Sequence, residues 1–326
     1  MCLKRMISWT VTLVVSLSLL LSACAPTSQA SQTPSEPVKL RFTALAILDT
    51  LPVLVAQQQG YFAQQNLAVE FIPVASAPER DQMIASGQAD GMINEVLSTI
   101  LYNKDQTQAQ VVRYARTATS TSALFRILAS QKSGISDVQG LKGVEVGVSN
   151  GTVIEYLTER ILQAEGFTPD EIRTVSVPKI SDRLALLTSG GMSAGVLPDP
   201  LASAAIQQGA TLVIDDTRYP DYSYSVMTFR KAVIDAHPEA ILGFLAAIES
   251  AVVEINRDPN RWRSLLVDQK IIAEKMAENF SVPPFVTAGV PSEAQYADAM
   301  DWLKTKGLLD HDVAYGETIT GDYLPK

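Results

Sequence analysis

Ten side chains stand out, nine where short strand-like runs give way to helix-like ones and Tyr224 in a crossing segment, and nearly all are small, polar or acidic. They are Asp49, Thr50, Ser76, Asn94, Glu95, Ser149, Asn150, Thr152, Asp199 and Tyr224. Their chemistry is recognition by hydrogen bonding. Glu95 and Asp199 suit N–H donors such as ring or exocyclic amines. Tyr224, with Tyr114 and Tyr222, offers ring faces for stacking. Arg113 and Arg116 suit a sulfonate or carboxylate. Each also has a purely structural role open to it. Asp49, Thr50, Ser76, Ser149 and Asn150 are good helix N-caps, and a carboxylate at a helix start is favourable in itself. The tyrosines serve equally as packing, and the arginines as a solvated strand edge. Binding is favoured by convergence: on a two-lobed fold these residues line one cleft.

Bond-making chemistry is poorly provided for. Cys2 and Cys24 are the two cysteines, and both lie in the first 24 residues, so the body of the chain has no thiol for a disulfide, a zinc site or a nucleophile. His237 and His311 are the two imidazoles and stand apart from partners. Gly147-Val148-Ser149-Asn150-Gly151 lacks the spacing of a phosphate loop, and no dinucleotide fingerprint occurs. Its backbone N–H groups still suit an anion. The expectation is a protein that is not an enzyme, with no cofactor and no metal.

The elements that position these residues alternate, as in a parallel sheet covered by helices. Strands are expected at 39–46, 69–74, 91–93, 110–113 and 123–128, with helices at 50–59, 78–86 and 95–102. The order then recurs: strands at 144–148, 172–177 and 195–197, helices at 153–165, 181–188 and 200–208. The segment VEFIPVASAPERDQMIASGQADGMIN lies over IRTVSVPKISDRLALLTSGGMSAGVLP, with Arg80 on Arg183, Ser86-Gly87 on Ser189-Gly190 and Gly91 on Gly195. A duplicated β-α-β-α-β unit follows. Long helices are expected at 232–256, 261–279 and 292–306, and the Tyr-rich stretch 217–228 as a return strand. The fold class is α/β and two-lobed, with lobe 1 at 38–127 plus 225–326, lobe 2 at 128–224, and two crossing segments as the hinge. Open parallel sheets bind ligands beyond their strand C-termini.

Ahead of this body, Lys4-Arg5, an apolar run from Met6 to Leu21 and Leu21-Ser22-Ala23-Cys24 form a secretory signal ending in a lipobox. It resembles a bacterial lipoprotein signal. Residues 1–23 would be removed, Cys24 would carry lipid, and 24–37, rich in Pro, Ser, Thr and Gln, would be a flexible tether. The address implied is the extracytoplasmic face of a cell membrane. The mature chain has 24 basic and 35 acidic side chains, a formal charge of −11. That surface repels nucleic acid and anionic lipid heads.

The stretch LDTLPVLVAQQQGYFAQQNLAVEFIPVASAPERDQMIASGQADGMINEVLSTIL, together with Ser149-Asn150-Gly151-Thr152, resembles solute-binding proteins of ABC importers. The branch is the one covering thiamine-pyrimidine precursors, riboflavin, nitrate, taurine and sulfonates. The resemblance implies a type II periplasmic-binding fold that closes on a small molecule, works as a monomer and delivers to an ABC permease. A riboflavin- or thiamine-pyrimidine-like ligand is expected first, a sulfonate, taurine or nitrate-type anion second, and an enzyme or ligand sensor on the same fold third. Two departures stand out. Leu48-Asp49-Thr50-Leu51-Pro52 replaces the Trp-Thr-Pro-Asn pattern of thiamine-pyrimidine binders, and the Cys-rich motif of pyrimidine synthases is absent.

Overall fold

Two five-stranded sheets of matching design organise the chain. The computed structural model describes residues 36–325; Cys24 and the signal segment lie outside them. The first sheet runs β2-β1-β3-β10-β4, from β1 (Val38–Leu45), β2 (Leu67–Val74), β3 (Gly91–Asn94), β4 (Ala109–Thr117) and β10 (Tyr224–Arg230). The second runs β7-β6-β8-β5-β9, from β5 (Phe125–Ala129), β6 (Glu145–Val148), β7 (Arg173–Ser176), β8 (Ala194–Pro198) and β9 (Thr211–Asp215). Three strands in each are parallel: β1 with β2 and β3, and β6 with β7 and β8. In each sheet the fourth strand, β10 or β5, is antiparallel to both neighbours. That strand always arrives from the other sheet. Residues 118–124 lead from β4 to β5, and 216–223 lead from β9 to β10.

Helices follow the parallel strands: α1 (Leu51–Gln58), α2 (Ala77–Ala85) and α3 (Val96–Tyr102) in the first half, α4 (Val153–Ala164), α5 (Ile180–Ser189) and α6 (Leu201–Gln207) in the second. The duplicated segments fall on equivalent places, β2-α2-β3 and β7-α5-β8. The matched glycines have one cause. A Cβ on Gly91 would sit 2.5 Å from the Phe229 ring, and one on Gly195 would sit 2.6 Å from the Met192 methyl. Both strands pass close to a side chain, so a methyl group there would have to push aside the Phe229 ring or the end of Met192.

The C-terminal third departs from expectation in two places. The helix expected at 232–256 is two, Lys231–Ala236 and α7 (Pro238–Arg257), because Pro238 pushes His237 out of helical geometry. The helix expected at 261–279 is Arg263–Asp268 and Glu274–Ala277, interrupted where Lys270 takes φ +57°. The apolar Ile271 and Ile272 are buried at that break, so burial prevails over helix continuation. The strand β9 gave no recognised signal.

The first core lies between sheet and helix, where Phe42, Phe229 and Phe244 meet at centroid distances of 5.0–5.6 Å. The second core joins the two halves. Val96, Leu97 and Ile100 of α3 pack with Ile154, Leu157 and Ile161 of α4 and with Trp302 and Leu303 of α8 (Glu293–Thr305). Polar contacts reinforce α8 on α4. Trp302 Nε1 donates to Glu159 at 2.7 Å, Arg160 Nε to Asp298 at 3.0 Å, and Lys306 to Glu155 and Glu159 at 2.9 Å.

Asp216 bolts the two crossing segments together. Its carboxylate accepts the backbone N–H of Leu124 at 3.1 Å and of Phe125 at 2.8 Å, and the Ser223 hydroxyl. Burial pushes this carboxyl up to about 6, against the pull of those donors. The native state therefore binds the proton more tightly than the unfolded chain. The group's stabilising contribution falls as pH rises from the ordinary carboxylate range through about 6. Two outcomes are expected. The Asp216 carboxyl resonance titrates near 6 by NMR, and Asp216→Ala, which strands two buried N–H groups, costs about 2–4 kcal/mol in urea unfolding.

Candidate functional site

The strand ends that face each other are lined by arginines already held by carboxylates. Arg80, one turn into α2, donates from Nη1 and Nη2 to both oxygens of Glu95 at 2.9 and 3.1 Å, and from Nε to Asp81 at 2.8 Å. Arg116, at the end of β4, reaches Asp49 at 3.4 Å and the Ala123 carbonyl at 3.0 Å. Asp49 also accepts the Ser225 hydroxyl at 2.6 Å. Arg126, at the start of β5, pairs with Asp199 and reaches the Ser203 hydroxyl at 3.2 Å. Ser203 donates its own hydroxyl to Asp199 at 2.8 Å and its backbone N–H at 3.2 Å. Arg116 and Arg126 thus flank the first crossing segment, each tied to an aspartate at a helix tip of its own half.

Glu95 stands beside the other half: it lines one small cavity together with Val153, the first residue of α4. Burial drives the Glu95 carboxyl up, and Arg80 opposes it. Burial likewise works to lower Arg80, but the carboxylates of Glu95 and Asp81 outweigh it and hold the guanidinium above its usual range.

Two cavities lie along this seam. The smaller, about 50 Å³, is lined by Asp49, Asn94, Glu95, Thr152, Tyr224 and Arg80 among others. The larger, about 480 Å³, opens beside the first crossing segment. Its polar wall holds Arg116, Arg126, Asp199, Ser203 and Gln207. Its apolar wall is Leu48 with Met276, Phe280, Val282, Pro283 and Pro284.

Of the ten residues singled out from sequence, five meet at the smaller cavity and Asp199 at the larger. Thr50, Ser76, Ser149 and Asn150 line neither. Thr50 turns its hydroxyl to the Ile47 carbonyl at 2.7 Å and caps nothing. Ser76 caps α2 through the Glu79 N–H at 3.3 Å. Ser149 donates to the Pro178 carbonyl at 3.2 Å, and Asn150 is exposed. The cap of α4 is Thr152, which accepts the Ile154 N–H at 3.2 Å. Asn94 is spent internally on Ser98, Thr99 and Thr228 at 2.6–2.8 Å. Tyr224 is buried edge-on to Tyr114 at 5.7 Å, so its face is not offered for stacking.

Glu95 and Asp199, expected to take a ligand's N–H donors, are already paired within the chain. Asp49, Glu95 and Asp199 each hold an arginine, because a buried carboxylate requires a counter-charge. Arg113 turns away from the seam to Glu249 at 2.7 Å. Arg126, Ser203, Gln207 and the 276–284 wall carried no signal beforehand. Arg80 did, through its match to Arg183. The two arginines differ in their partners. Arg183 is fully buried, touches the Ser149 hydroxyl at 3.4 Å, and has no hydrogen-bond partner for Nε or Nη2. Burial alone lowers it to about 10.

The profile of the family described as NMT1/THI5 like matches residues 48–261, about two-thirds of the chain. The chain belongs to the NMT1/THI5-like family. Among relatives of this NMT1/THI5-like chain, a Bacillus subtilis (strain 168) protein named for aliphatic sulfonate binding is 22% identical over 274 residues, covering 82% of this chain and 80% of the relative. A Haemophilus influenzae protein named for thiamine biosynthesis is 24% identical over 279 residues, covering 82% and 87%. The alkanesulfonate-binding protein SsuA of Xanthomonas axonopodis pv. citri, solved with MOPS, superposes with TM-score 0.73 at 17% identity, covering 88% of this chain and 99% of that one. The two-lobed periplasmic-binding-protein fold is therefore the fold of this NMT1/THI5-like chain. Among the described residues no helix is long and apolar enough to cross a membrane, and no His, Cys, Asp and Glu cluster has metal-binding geometry.

The buried pairs carry a stability expectation. Asp49→Ala leaves Arg116 buried without its carboxylate and costs about 3–5 kcal/mol, read from urea unfolding at pH 7. A cost within experimental error would mean that water replaces the carboxylate.

Proposed function

We propose that this chain is the lipid-anchored solute-binding component of an ABC importer, and that it captures a small organic anion between its two lobes. Cys24 carries the lipid, the protein works on the extracytoplasmic face as a monomer, and an ABC permease receives the ligand. Lobe 1 comprises 38–127 plus 225–326, and lobe 2 comprises 128–224. Ligand that touches both lobes stabilises the closed arrangement, and release reopens it.

The observation carrying this reading is the 480 Å³ cavity with Arg116 and Arg126 on one wall and Met276, Phe280 and Val282 on the other. Arg126 uses Nη1 for Asp199 and Ser203, which leaves the other edge of its guanidinium for a ligand acid group. The apolar wall suits a hydrocarbon or ring body. The name of the Bacillus relative supports the same ligand class. Asp49, Glu95 and Asp199 contribute by fixing the arginines, with Thr152 and Tyr224 holding the seam.

A heteroaromatic, vitamin-type ligand such as riboflavin or a thiamine pyrimidine is the second reading. The name of the Haemophilus relative and the Phe280 ring favour it. An enzymatic role has no nucleophile–base pair to rest on and is tested by turnover alone.

The test is calorimetry of the mature protein against alkanesulfonates, taurine, nitrate, riboflavin and a thiamine pyrimidine. An alkanesulfonate is expected to bind, and Arg126→Ala to weaken it about tenfold or more through loss of a charge-assisted hydrogen bond. Binding of riboflavin or the pyrimidine alone, insensitive to Arg126→Ala, reverses the order. Conversion of any of them to product makes the protein an enzyme.

A further inference from the structure

The charges around the larger cavity balance. Arg126 and Asp199 line it as a pair, and Arg116, also on its wall, is paired with Asp49. Arg116 has little left to offer: Nη2 is spent on Ser122 and the Ala123 carbonyl, and Nε is buried without a partner. The pair at Arg126 differs, because each member is used on one side only. Asp199 Oδ1 accepts from Arg126 Nη1, from the Ser203 hydroxyl at 2.8 Å and from the Ser203 N–H at 3.2 Å. Asp199 Oδ2 accepts from no described residue, yet it is not sealed among the buried unpaired atoms. It therefore meets open space, and the open space beside Asp199 is this cavity. Arg126 Nε and Nη2 are free in the same way. A cationic edge and an anionic oxygen stand side by side on one wall.

We propose that Asp199 is a specificity-determining residue: its Oδ2 selects, among organic acids that place their acid group on Arg126, those that also carry an ammonium group. This rests on the reading of the cavity as the site of an organic anion. A plain anion gives up its water for Arg126 alone and comes to lie beside Asp199, so attraction and repulsion largely cancel. A zwitterion answers both members of the pair. Its acid group accepts from the free edge of Arg126, and its ammonium donates to Asp199 Oδ2. Two charge-assisted hydrogen bonds form and no net charge is brought in. The two Ser203 bonds hold Oδ1 in place and so keep Oδ2 available. Because Arg126 and Asp199 touch each other, a short run of methylenes separates the two ligand groups, and the apolar wall of Met276, Phe280 and Val282 covers it.

The experiment is calorimetry of wild type and Asp199→Asn with three short sulfonates: ethanesulfonate, 2-hydroxyethanesulfonate and 2-aminoethanesulfonate. The last two differ only in a hydroxyl against an ammonium. Wild type is expected to bind the amino compound about tenfold or more tighter than the hydroxy compound, the effect of one charge-assisted hydrogen bond. Asp199→Asn keeps the shape of the side chain without its charge. There the amino compound is expected to lose its advantage, while the hydroxy compound and ethanesulfonate bind as well as before or better. A purely structural Asp199 would weaken all three compounds alike in the variant, and that result overturns the proposal. Equal binding of the amino and hydroxy compounds by wild type overturns it too. That comparison needs no variant and carries the test should Asp199→Asn not fold. Failure of wild type to bind any of the three overturns the organic-anion reading instead.

Discussion

Taking a guanidinium out of water costs several kcal/mol unless an acceptor meets it, and arginines crowd the edges where the two sheets face each other. Arg80, Arg116 and Arg126 are each met by a carboxylate from the tip of a neighbouring element, Glu95, Asp49 and Asp199. These pairs fix what the seam is. They set the direction of three strand ends, neutralise charges that would otherwise drive the halves apart, and leave the unspent edge of Arg126 toward the larger cavity. Hydrophobic burial builds the two halves, but the geometry of the seam depends on counter-charges finding one another.

The duplication explains why the seam is nearly symmetric, and its imperfections explain why one end holds a cavity. In the first half the helix arginine, Arg80, takes the carboxylate after β3. In the second half the carboxylate after β8, Asp199, is taken by Arg126 from the crossing strand instead, and Arg183 is left with Ser149. One exchange of partners therefore separates the two ends. At the first, the carboxylate is gripped by both outer nitrogens of a buried arginine beside a small cavity. At the second, the arginine stands beside the opening with part of its fork unused.

Much of the framework was legible in the sequence because it rests on local rules. Strand and helix alternation, glycine stops and the repeat placed most elements of both sheets to within a few residues. Half of the ten side chains, Asp49, Asn94, Glu95, Thr152 and Tyr224, do meet at one cavity. The roles were less legible, because they are set by partners distant in sequence. Asp49 meets Arg116 across 67 residues and Asp199 meets Arg126 across 73. No spacing rule reaches that far. The strand β9 escaped notice for the same reason, since it is defined by pairing with the distant β5. The break at Lys270 is decided by which apolar residues the rest of the chain covers, as with Ile271 and Ile272.

The seating of α8 on α4 bears on the order in which the chain can fold. The second sheet and its helices are complete by residue 215, yet the face of α4 that carries Tyr156, Leu157 and Ile161 is sealed by Trp302 and Leu303, near the far terminus. The first sheet likewise waits for β10. Neither half can finish its interior until α8 is in place. An oily stripe on α4 stays open to water until that helix docks, and the halves mature together.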